Sequence, residues 1–487
     1  MGGEYILKKI IKGIIILNML LMLTDVANAY ATYSGQINEI GVYREEKPVN
    51  LTWIYKQINN DSIITHEGSI WYLNASIRLY SNSGMYINDT EVSELRISNY
   101  YNDIGLYDGK YYIENVSIKS WNPSENRPSY KNEKRVGISI NKGLIHNSNL
   151  SNLKWIGANY LVEDLFNISI TDSNTGIVGN SIKDKKIYDI KIENLTESAI
   201  KLYNCTNTEV YNVTVVNAGD YLNPGTGRHA VLYDKTSFNS SMHDIFVNGT
   251  GWSSICVTGN SSFIEAYNIT VYNSGHNGLD IHWGNNISVE NMSIYDSISN
   301  NIIITYSGDG YETRDILLKN IKSSGAYPGA GALIGVGVSN ITLINYSSEN
   351  DGTGITSFNS LDLKVFNITT INSVNGVSFT KDSTLGIDVK NAVVIDSDLS
   401  NQSNADILLT YSTNSKFINS NYKKLKLDNR FNSEATFYHY CDIVVSDSHK
   451  EPVNASTINF IDETTGVLIN TNAYGDEINC FKTMNNG

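Results

Sequence analysis

Apolar residues recur along most of the chain in short alternating segments rather than at helical spacing. Segments of four to six residues alternate apolar and polar positions, as in Ala199-Ile-Lys-Leu, Ala230-Val-Leu-Tyr and Gly278-Leu-Asp-Ile. This alternation predicts strands that turn one face toward a core. Gly, Asn, Ser and Asp separate the segments, and they favour turns because Asn tolerates a left-handed backbone.

The predicted strands repeat at a nearly constant period. Gly176 and Ala199, which open two of them, are 23 residues apart, and Ala230 and Ser254 are 24 apart. One coil of that length cannot bury its own apolar face, but stacked coils can. The period therefore predicts an all-β fold, a right-handed parallel β-helix solenoid over residues 101–435 with coils of about 22–24 residues. Stacked Asn side chains are expected to form ladders at the coil corners.

A short motif recurs in phase with the strands: Asn, any residue, Ser or Thr, then usually an apolar residue. It appears as Asn167-Ile-Ser-Ile, Asn212-Val-Thr-Val and Asn291-Met-Ser-Ile. The pattern resembles the parallel β-helix repeats of the pectin-lyase-like superfamily, especially the β-helical surface proteins of archaea and bacteria. The resemblance covers roughly residues 100–430 and implies the fold. It does not imply one activity, since this fold carries lyases, hydrolases, epimerases, adhesins and tailspikes.

The segments outside the repeats differ in composition from the coils. Residues 1–29 are predicted to be a signal peptide, because lysines precede a short apolar run and Ala27-Asn-Ala forms a small-x-small cleavage pattern. Residues 30–100 are predicted to form an N-terminal cap with irregular first coils, and residues 436–487 a short, partial β-sandwich-like module. The leader predicts a secreted or cell-surface protein with no integral membrane span after cleavage.

Charge and cysteine content narrow the range of partners. The formal net charge is -14 and no Lys/Arg stripe offsets it, so nucleic-acid binding is not expected. Cys205 and Cys256 are expected to be unpaired, whereas pairing of Cys441 with Cys480 stays open. No metal site and no cofactor are predicted, and Ca²⁺ is the one ion that the Asp and Asn turns could hold.

Histidine and aspartate are concentrated between residues 227 and 283. The register predicts that Leu279 and Ile281 point into the core and that Asp280 and His282 lie outside. Neighbouring coils would add groups to the same outer face. The candidate catalytic residues are His282, Asp280, Asp234 and His276, and the candidate substrate-binding residues are His229, Arg228, Tyr203, Lys201 and Trp283.

Two coils are longer than the others, at 31 residues each. Their extra residues are predicted to precede the strand, at residues 219–228 and at about residues 323–331, so that both loops rise from one edge. Two such loops would wall a groove over the outer face. A long groove with ionisable groups suits an extended sugar polymer, so extracellular polysaccharide or a cell-surface layer is the expected partner.

Two functions remain open at this point. The chain could bind or organise polysaccharide without catalysis, its polar groups being solvated residues of an outer face. Alternatively, a lyase or C5-epimerase would use His282 or His276 as base, Tyr203 as acid, and Arg228 or Lys201 against the carboxylate.

A glycoside hydrolase is a further form of the enzyme hypothesis. It would need a carboxylate pair, and Asp234 with Asp280 is the evident one. The stretch Gly278-Leu-Asp-Ile-His is similar to the Tyr-Gly-x-Asp-Pro-His signature of uronan epimerases. It has neither the Tyr nor the Pro, so no catalytic role follows from that similarity.

Overall fold

The structure is a computed structural model of the chain. It describes residues 29–43, 47–80, 83–99, 105–220, 223–225, 227–306, 312–380, 388–427, 433–438, 457–458 and 481–482. The predicted signal peptide lies outside the described residues except for residue 29, as do Cys441, Cys480 and most of the predicted C-terminal module. Within the described part of the chain, no helix is long and apolar enough to span a bilayer.

The first elements combine hairpins, a helix and the first parallel strands. β1 (Tyr30–Ser34) pairs antiparallel with β2 (Glu39–Tyr43), and β3 (Ile64–Glu67) with β4 (Ile70–Leu73). Helix α1 (Leu51–Ile58) lies between these hairpins. The strands that follow are β5 (Ser76–Leu79), β6 (Gly84–Asn88), β7 (Glu94–Ser98), β8 (Leu106–Glu114), β9 (Ser117–Asn122) and β10 (Arg127–Pro128). Parallel pairing begins with β2 and β5, and the role of residues 30–100 as a cap stays a prediction.

From residue 137 onward the chain alternates between two kinds of strand. One kind is short and forms what we call the short-strand face. Its members are β11 (Gly137–Asn141), β13 (Trp155–Asn159), β15 (Ile177–Asn180), β17 (Ile200–Tyr203), β19 (Val231–Asp234), β21 (Ile255–Val257), β23 (Leu279–His282), β25 (Ile302–Thr305), β27 (Ala330–Ile334), β29 (Thr353–Phe358), β31 (Asn375–Thr380), β34 (Ala405–Leu409) and β37 (Leu425–Leu427).

The other kind is mostly longer and bends at a corner. Its members are β12 (Leu144–Ser151), β14 (Leu165–Thr171), β16 (Lys186–Leu195), β18 (Glu209–Ala218), β20 (Phe238–Thr250), β22 (Ser261–Ser274), β24 (Gly284–Tyr295), β26 (Thr313–Ser324), β28 (Val338–Glu349), β30 (Ser360–Ile371), β32 (Val389–Lys390), β33 (Val393–Ile395), β35 (Ser412–Thr413), β36 (Ser415–Ile418) and β38 (Ala435–Tyr438). The last two strands, β39 (Thr457–Ile458) and β40 (Phe481–Lys482), pair antiparallel with each other.

Each strand pairs in parallel with its equivalent one coil away. On the short-strand face β19 pairs with β21, β21 with β23 and β23 with β25, while β20, β22, β24 and β26 pair in the same order. Apolar side chains from both kinds of strand fill one continuous core along the stack. The prediction of an all-β, right-handed parallel β-helix is therefore confirmed.

The predicted register is confirmed for the core positions. Leu279 is 1% exposed and Ile281 is fully buried. A small residue precedes such strands because the next coil passes very close. A Cβ atom added at Gly278 would lie 2.8 Å from the Asn301 carbonyl oxygen, and one at Gly176 would lie 2.2 Å from that of Ala199. Larger side chains at these positions would push neighbouring coils apart.

Asparagine ladders mark the corners of the long strands, as predicted. Asn268, Asn291, Asn320 and Asn345 occupy equivalent positions in successive coils, each with a φ of 55° or 56°. The side chain of Asn320 donates a hydrogen bond of 3.0 Å to Asn291, and that of Asn345 donates one of 2.8 Å to Asn320. The left-handed conformation turns the chain, and the amide ladder connects neighbouring turns.

The first predicted loop lies where it was expected. Ala218 pairs with Thr250, and Val231 pairs with Ile255. The chain takes 13 residues to pass from Ala218 to Val231, but only 5 to pass between the two equivalent positions of the next coil. The extra residues of this coil therefore lie before the short strand, in residues 219–228. This loop rises at the edge where the short strands begin.

The second predicted loop is misplaced. His282 pairs with Thr305, and Asn285 pairs with Arg314. The chain takes 3 residues to pass from His282 to Asn285, but 9 to pass between the two equivalent positions of the next coil. Most of the extra length therefore follows the short strand, in a stretch whose residues 307–311 lie outside the described part of the chain. The placement at about residues 323–331 was wrong because the spacing between strand starts does not reveal where within a coil residues are inserted.

Candidate functional site

Asp280 projects from β23 away from the core but is covered by its neighbours. Its side chain accepts hydrogen bonds from the Ser253 hydroxyl at 2.8 Å, from the Asn277 amide at 3.3 Å and from His282 Nδ1 at 2.8 Å. Only 5% of the residue is exposed. Asp280 therefore lies outside the apolar core, as the register predicts, but it is shielded from solvent because residues from the preceding turn and coil close over this outer position.

His282 is the more accessible partner of the pair. Its side chain is 27% exposed, against 8% for that of Asp280. Since Nδ1 lies against the carboxylate, the Asp280 interaction favours the tautomer with the proton on Nδ1. That arrangement leaves Nε2 as the nitrogen that can accept a proton from a bound molecule.

Asp280 is held in its ionised form by its partners. Burial opposes ionisation, but the hydrogen bond and charge of His282, together with Ser253 and Asn277, outweigh it and lower the pKa of Asp280 below its ordinary value. Cys256 lies beside this carboxylate on β21 and is fully buried, and burial raises the pKa of its thiol well above its usual range. In the Asp280–His282 pair, Asp280 therefore acts as a carboxylate that orients the imidazole rather than as a carboxylic acid that donates a proton.

His229 completes the cluster from the coil of β19. It is buried, and its Nδ1 lies 2.9 Å from the Ser253 carbonyl oxygen. Burial lowers the pKa of His229 to about 4, and the charges of Asp280, Lys201 and His282 all act on its ring. We call Lys201, His229, Asp280 and His282 the outer-face cluster, because the other three charges all act on the ring of His229.

The buried His229 predicts acid-sensitive stability. The pKa is about 6.5 in the unfolded chain and about 4 in the folded chain, so the unfolded state binds more protons as the pH falls between these values. Protonation should cost about 3 kcal/mol of unfolding free energy by pH 4. His229→Gln should remove most of that dependence in urea unfolding at pH 7 and pH 4, whereas His66→Gln, at an exposed histidine, should not. Equal pH dependence in all three proteins would contradict the buried, neutral state of His229.

Lys201 and Tyr203 extend the cluster along the short-strand face. Both are half-buried on β17, and burial lowers the pKa of Lys201 and raises that of Tyr203. Tyr203 pairs in register with Asp234, whose carboxylate accepts a 2.6 Å hydrogen bond from the Lys235 backbone. Asp234 therefore lies beside Tyr203, in the register column of His282 rather than in that of Asp280.

Of the remaining predicted site residues, His276 and Trp283 lie beside residues of the cluster, whereas Arg228 does not. His276 stacks on Trp252 at a centroid distance of 3.9 Å, and burial lowers the pKa of His276. Trp283 follows His282 with a φ of 57°, and its ring meets that of His282 edge-on at 5.6 Å. Arg228 does not join the cluster, because its side chain packs toward the loop and donates a hydrogen bond to the Asn223 carbonyl.

Sequence reasoning missed Ser253 and Asn277, which hold the Asp280 carboxylate. Both precede a short strand by two positions, in the same register column as His229. The column was available from the alignment of strand starts. Ser and Asn are ordinary turn residues, however, and nothing in the sequence distinguished these two from the many others.

Among the residues that the structure describes, one group of side chains could hold a metal ion. The candidate ligand atoms of Cys256, Asp280 and His282 all lie within 4.8 Å of one another. A thiolate, a carboxylate and an imidazole suit Zn²⁺ or a similar transition metal, whereas Ca²⁺ prefers oxygen ligands. The Ca²⁺ considered from the Asp and Asn turns therefore has no matching donor set in this cluster.

Comparisons with known proteins give similarities of structure only. No protein-family model matches the sequence, and no curated protein sequence matches it. Among solved structures, the periplasmic alginate epimerase AlgG is 14% identical, with 82% of this chain and 84% of that chain covered and a TM-score of 0.46.

Two further solved structures are similar at the same low level. The Azotobacter vinelandii mannuronan C-5 epimerase AlgE4 A-module is 11% identical over 74% of this chain and 87% of that one, with a TM-score of 0.35. The catalytic domain of a GH87 alpha-1,3-glucanase is 12% identical over 72% and 64%, with a TM-score of 0.37. The fold assignment rests on the strand pairing described above.

Proposed function

We propose that the chain is a secreted or cell-surface enzyme that acts on uronate-containing polysaccharide by proton transfer at sugar C5. The observation that carries the proposal is the Asp280–His282 pair. A buried, ionised carboxylate holds a partly exposed imidazole by Nδ1 at 2.8 Å, so Nε2 is the nitrogen that would accept a proton. A general base built in this way needs no metal or cofactor for its own step.

The reaction begins when His282 Nε2 removes the C5 proton of a uronate residue. The C–H electron pair moves into the sugar carboxylate, which becomes enolate-like, and the cation of Lys201 stabilises that charge. Tyr203 lies three coils from His282, about 14 Å by strand spacing, and does not reach the same C5. Solvent water therefore returns a proton to the opposite face of C5 to give the epimer, and the imidazolium of His282 releases its proton to solvent. Expulsion of the C4 oxygen, which takes up the proton that His282 removed, gives an unsaturated sugar instead.

Glycoside hydrolysis fits the site less well. A hydrolase needs one protonated carboxyl group as acid. Asp280 accepts three hydrogen bonds and has a lowered pKa, so it is ionised near neutral pH. Asp234 lies next to Tyr203 in a different register column and has no matching role with Asp280.

Binding without catalysis is the second candidate function. The observation that favours it is that both oxygens of Asp280 are already engaged within the protein. The pair could then serve only to fix the surface that a polysaccharide contacts. Turnover separates this candidate from the first, because binding alone changes no bond of the polymer.

The test is incubation of the purified protein with polygalacturonate, polymannuronate and a neutral glucan in D₂O. We expect one of two NMR results with a uronate polymer: deuterium at C5 with inverted configuration for an epimerase, or a C4–C5 double bond for a lyase. New reducing ends without unsaturation would indicate hydrolysis instead. Binding of a uronate polymer with neither deuterium incorporation nor unsaturation nor new reducing ends would favour the second candidate.

A further inference from the structure

A second concave surface lies away from the outer-face cluster. It has a volume of 720 Å³ and lies between the segment at residues 127–135 and the start of the loop at residues 219–228. Its floor is a ladder of corner residues from successive coils. These residues are Asn152, Asp172, Asn194 and Asn217, all with a left-handed backbone. We call this surface the ladder cleft.

Arg135 lines the ladder cleft and is 5% exposed. Its Nε donates a hydrogen bond of 3.2 Å to the Tyr130 carbonyl, and its Nη1 donates one of 2.9 Å to the Asn174 side chain. Among the described residues, no carboxylate oxygen lies within ion-pair distance of this guanidinium. Burial lowers the pKa of Arg135, and the more distant charges of Asp172 and Glu133 offset only part of that effect.

Arg127, in the same segment, forms a direct ion pair with a carboxylate, which Arg135 does not. Its Nη1 and Nη2 donate to the two carboxylate oxygens of Glu133 at 3.0 and 2.6 Å, which lowers the pKa of Glu133 to about 2. The guanidinium of Arg127 also lies 3.4 Å from the Tyr130 ring centroid. Arg127 and Glu133 therefore form part of the wall, while Arg135 lines the cleft and, among the described residues, has no carboxylate in direct contact.

The floor supplies hydrogen-bonding groups at the spacing of the coils. The Asn217 amide donates to Asn194 at 3.2 Å, and the Asn194 amide donates to Asp172 at 3.4 Å. Each step of this ladder advances by one coil, about 4.8 Å. A row of three amides and one carboxylate at regular spacing offers donors and acceptors that match the hydroxyl groups of an extended saccharide better than they match a compact ion.

We propose that the ladder cleft is a binding site for an anionic saccharide, with Arg135 holding a carboxylate or sulfate group and the corner amides holding hydroxyls. Such an anion would compensate the buried guanidinium through charge-assisted hydrogen bonds. The site lies at a corner that the proton-transfer chemistry does not use. It is therefore independent of the activity proposed for His282.

The experiment measures binding of polygalacturonate, dextran sulfate and neutral dextran to the full chain by calorimetry at fixed low salt. We expect binding of at least one anionic polymer, weakened by about ten- to hundredfold in Arg135→Gln. Lys191→Gln removes an exposed positive charge outside the cleft and should leave the affinity unchanged. Preference for polygalacturonate identifies a carboxylate ligand, and preference for dextran sulfate identifies a sulfate ligand.

Circular dichroism checks that the variants are folded. Arg135→Lys keeps the positive charge, so it should retain more affinity than Arg135→Gln. Arg135→Gln should keep the turnover of the parent at saturating polymer, which separates this site from the proposed catalytic one. Equal binding by the parent and folded Arg135→Gln would overturn the proposal. Equal affinity for neutral dextran, or no binding of either anionic polymer, would also overturn it.

Discussion

His282→Gln is expected to reduce turnover of the uronate polymer by on the order of 10²- to 10⁴-fold, the usual contribution of a general base. Glutamine keeps a polar side chain of similar reach but cannot take a proton from C5. The partly exposed position of His282 means that the fold should tolerate the change. Deuterium incorporation at C5 and polymer binding, measured on the same preparation, separate lost chemistry from lost affinity.

Asp280→Asn tests whether the carboxylate acts through His282. The amide keeps the shape of the side chain but removes the charge that holds the Nδ1 proton of the imidazole. We expect kcat to fall with little change in KM, because the imidazole loses the acceptor that fixes its tautomer and orientation. His66→Gln, at an exposed histidine far from the cluster in sequence, should keep full activity. Unchanged turnover in His282→Gln would end the proton-transfer mechanism.

The fold and its register were predictable because a solenoid repeats one local solution many times. Strand starts spaced by one coil place equivalent residues in line, and the pairing of Lys201, Leu232, Cys256 and Asp280 in one column follows from that spacing alone. Each coil supplies an independent test of the same period. Errors in a single coil therefore do not change the architecture.

The candidate site was predicted less completely. The sequence placed Asp280 on the outward side of β23, but it could not show that Ser253 and Asn277 cover it, because turn residues of this type occur in every coil. Nor could it place the inserted residues of the longer coil, since strand spacing measures length and not position. Arg228 was assigned to the same face by its neighbours in sequence, yet its side chain packs toward the preceding loop.

Leu279→Asp is expected to destabilise the protein by at least about 4 kcal/mol, because it removes an apolar side chain from the core and buries an unpaired charge. Leu279 is 1% exposed, and it pairs in register with Ile255 on one side and Ile302 on the other. The damage should therefore spread to both neighbouring coils. Urea unfolding measures the loss of unfolding free energy, and amide hydrogen exchange shows which coils lose protection.

The matched control is Leu361→Asp, the same substitution at a leucine that is 43% exposed on β30. Its charge stays hydrated, so the unfolding free energy should change by no more than about 0.5 kcal/mol. In a solenoid each coil contacts only its neighbours, so faster exchange in Leu279→Asp should be centred on β21, β23 and β25. Equal stability of the two variants would mean that the side chains of β23 face the opposite way. Asp280 would then point into the core, and the proposed base at His282 would lose its access to substrate.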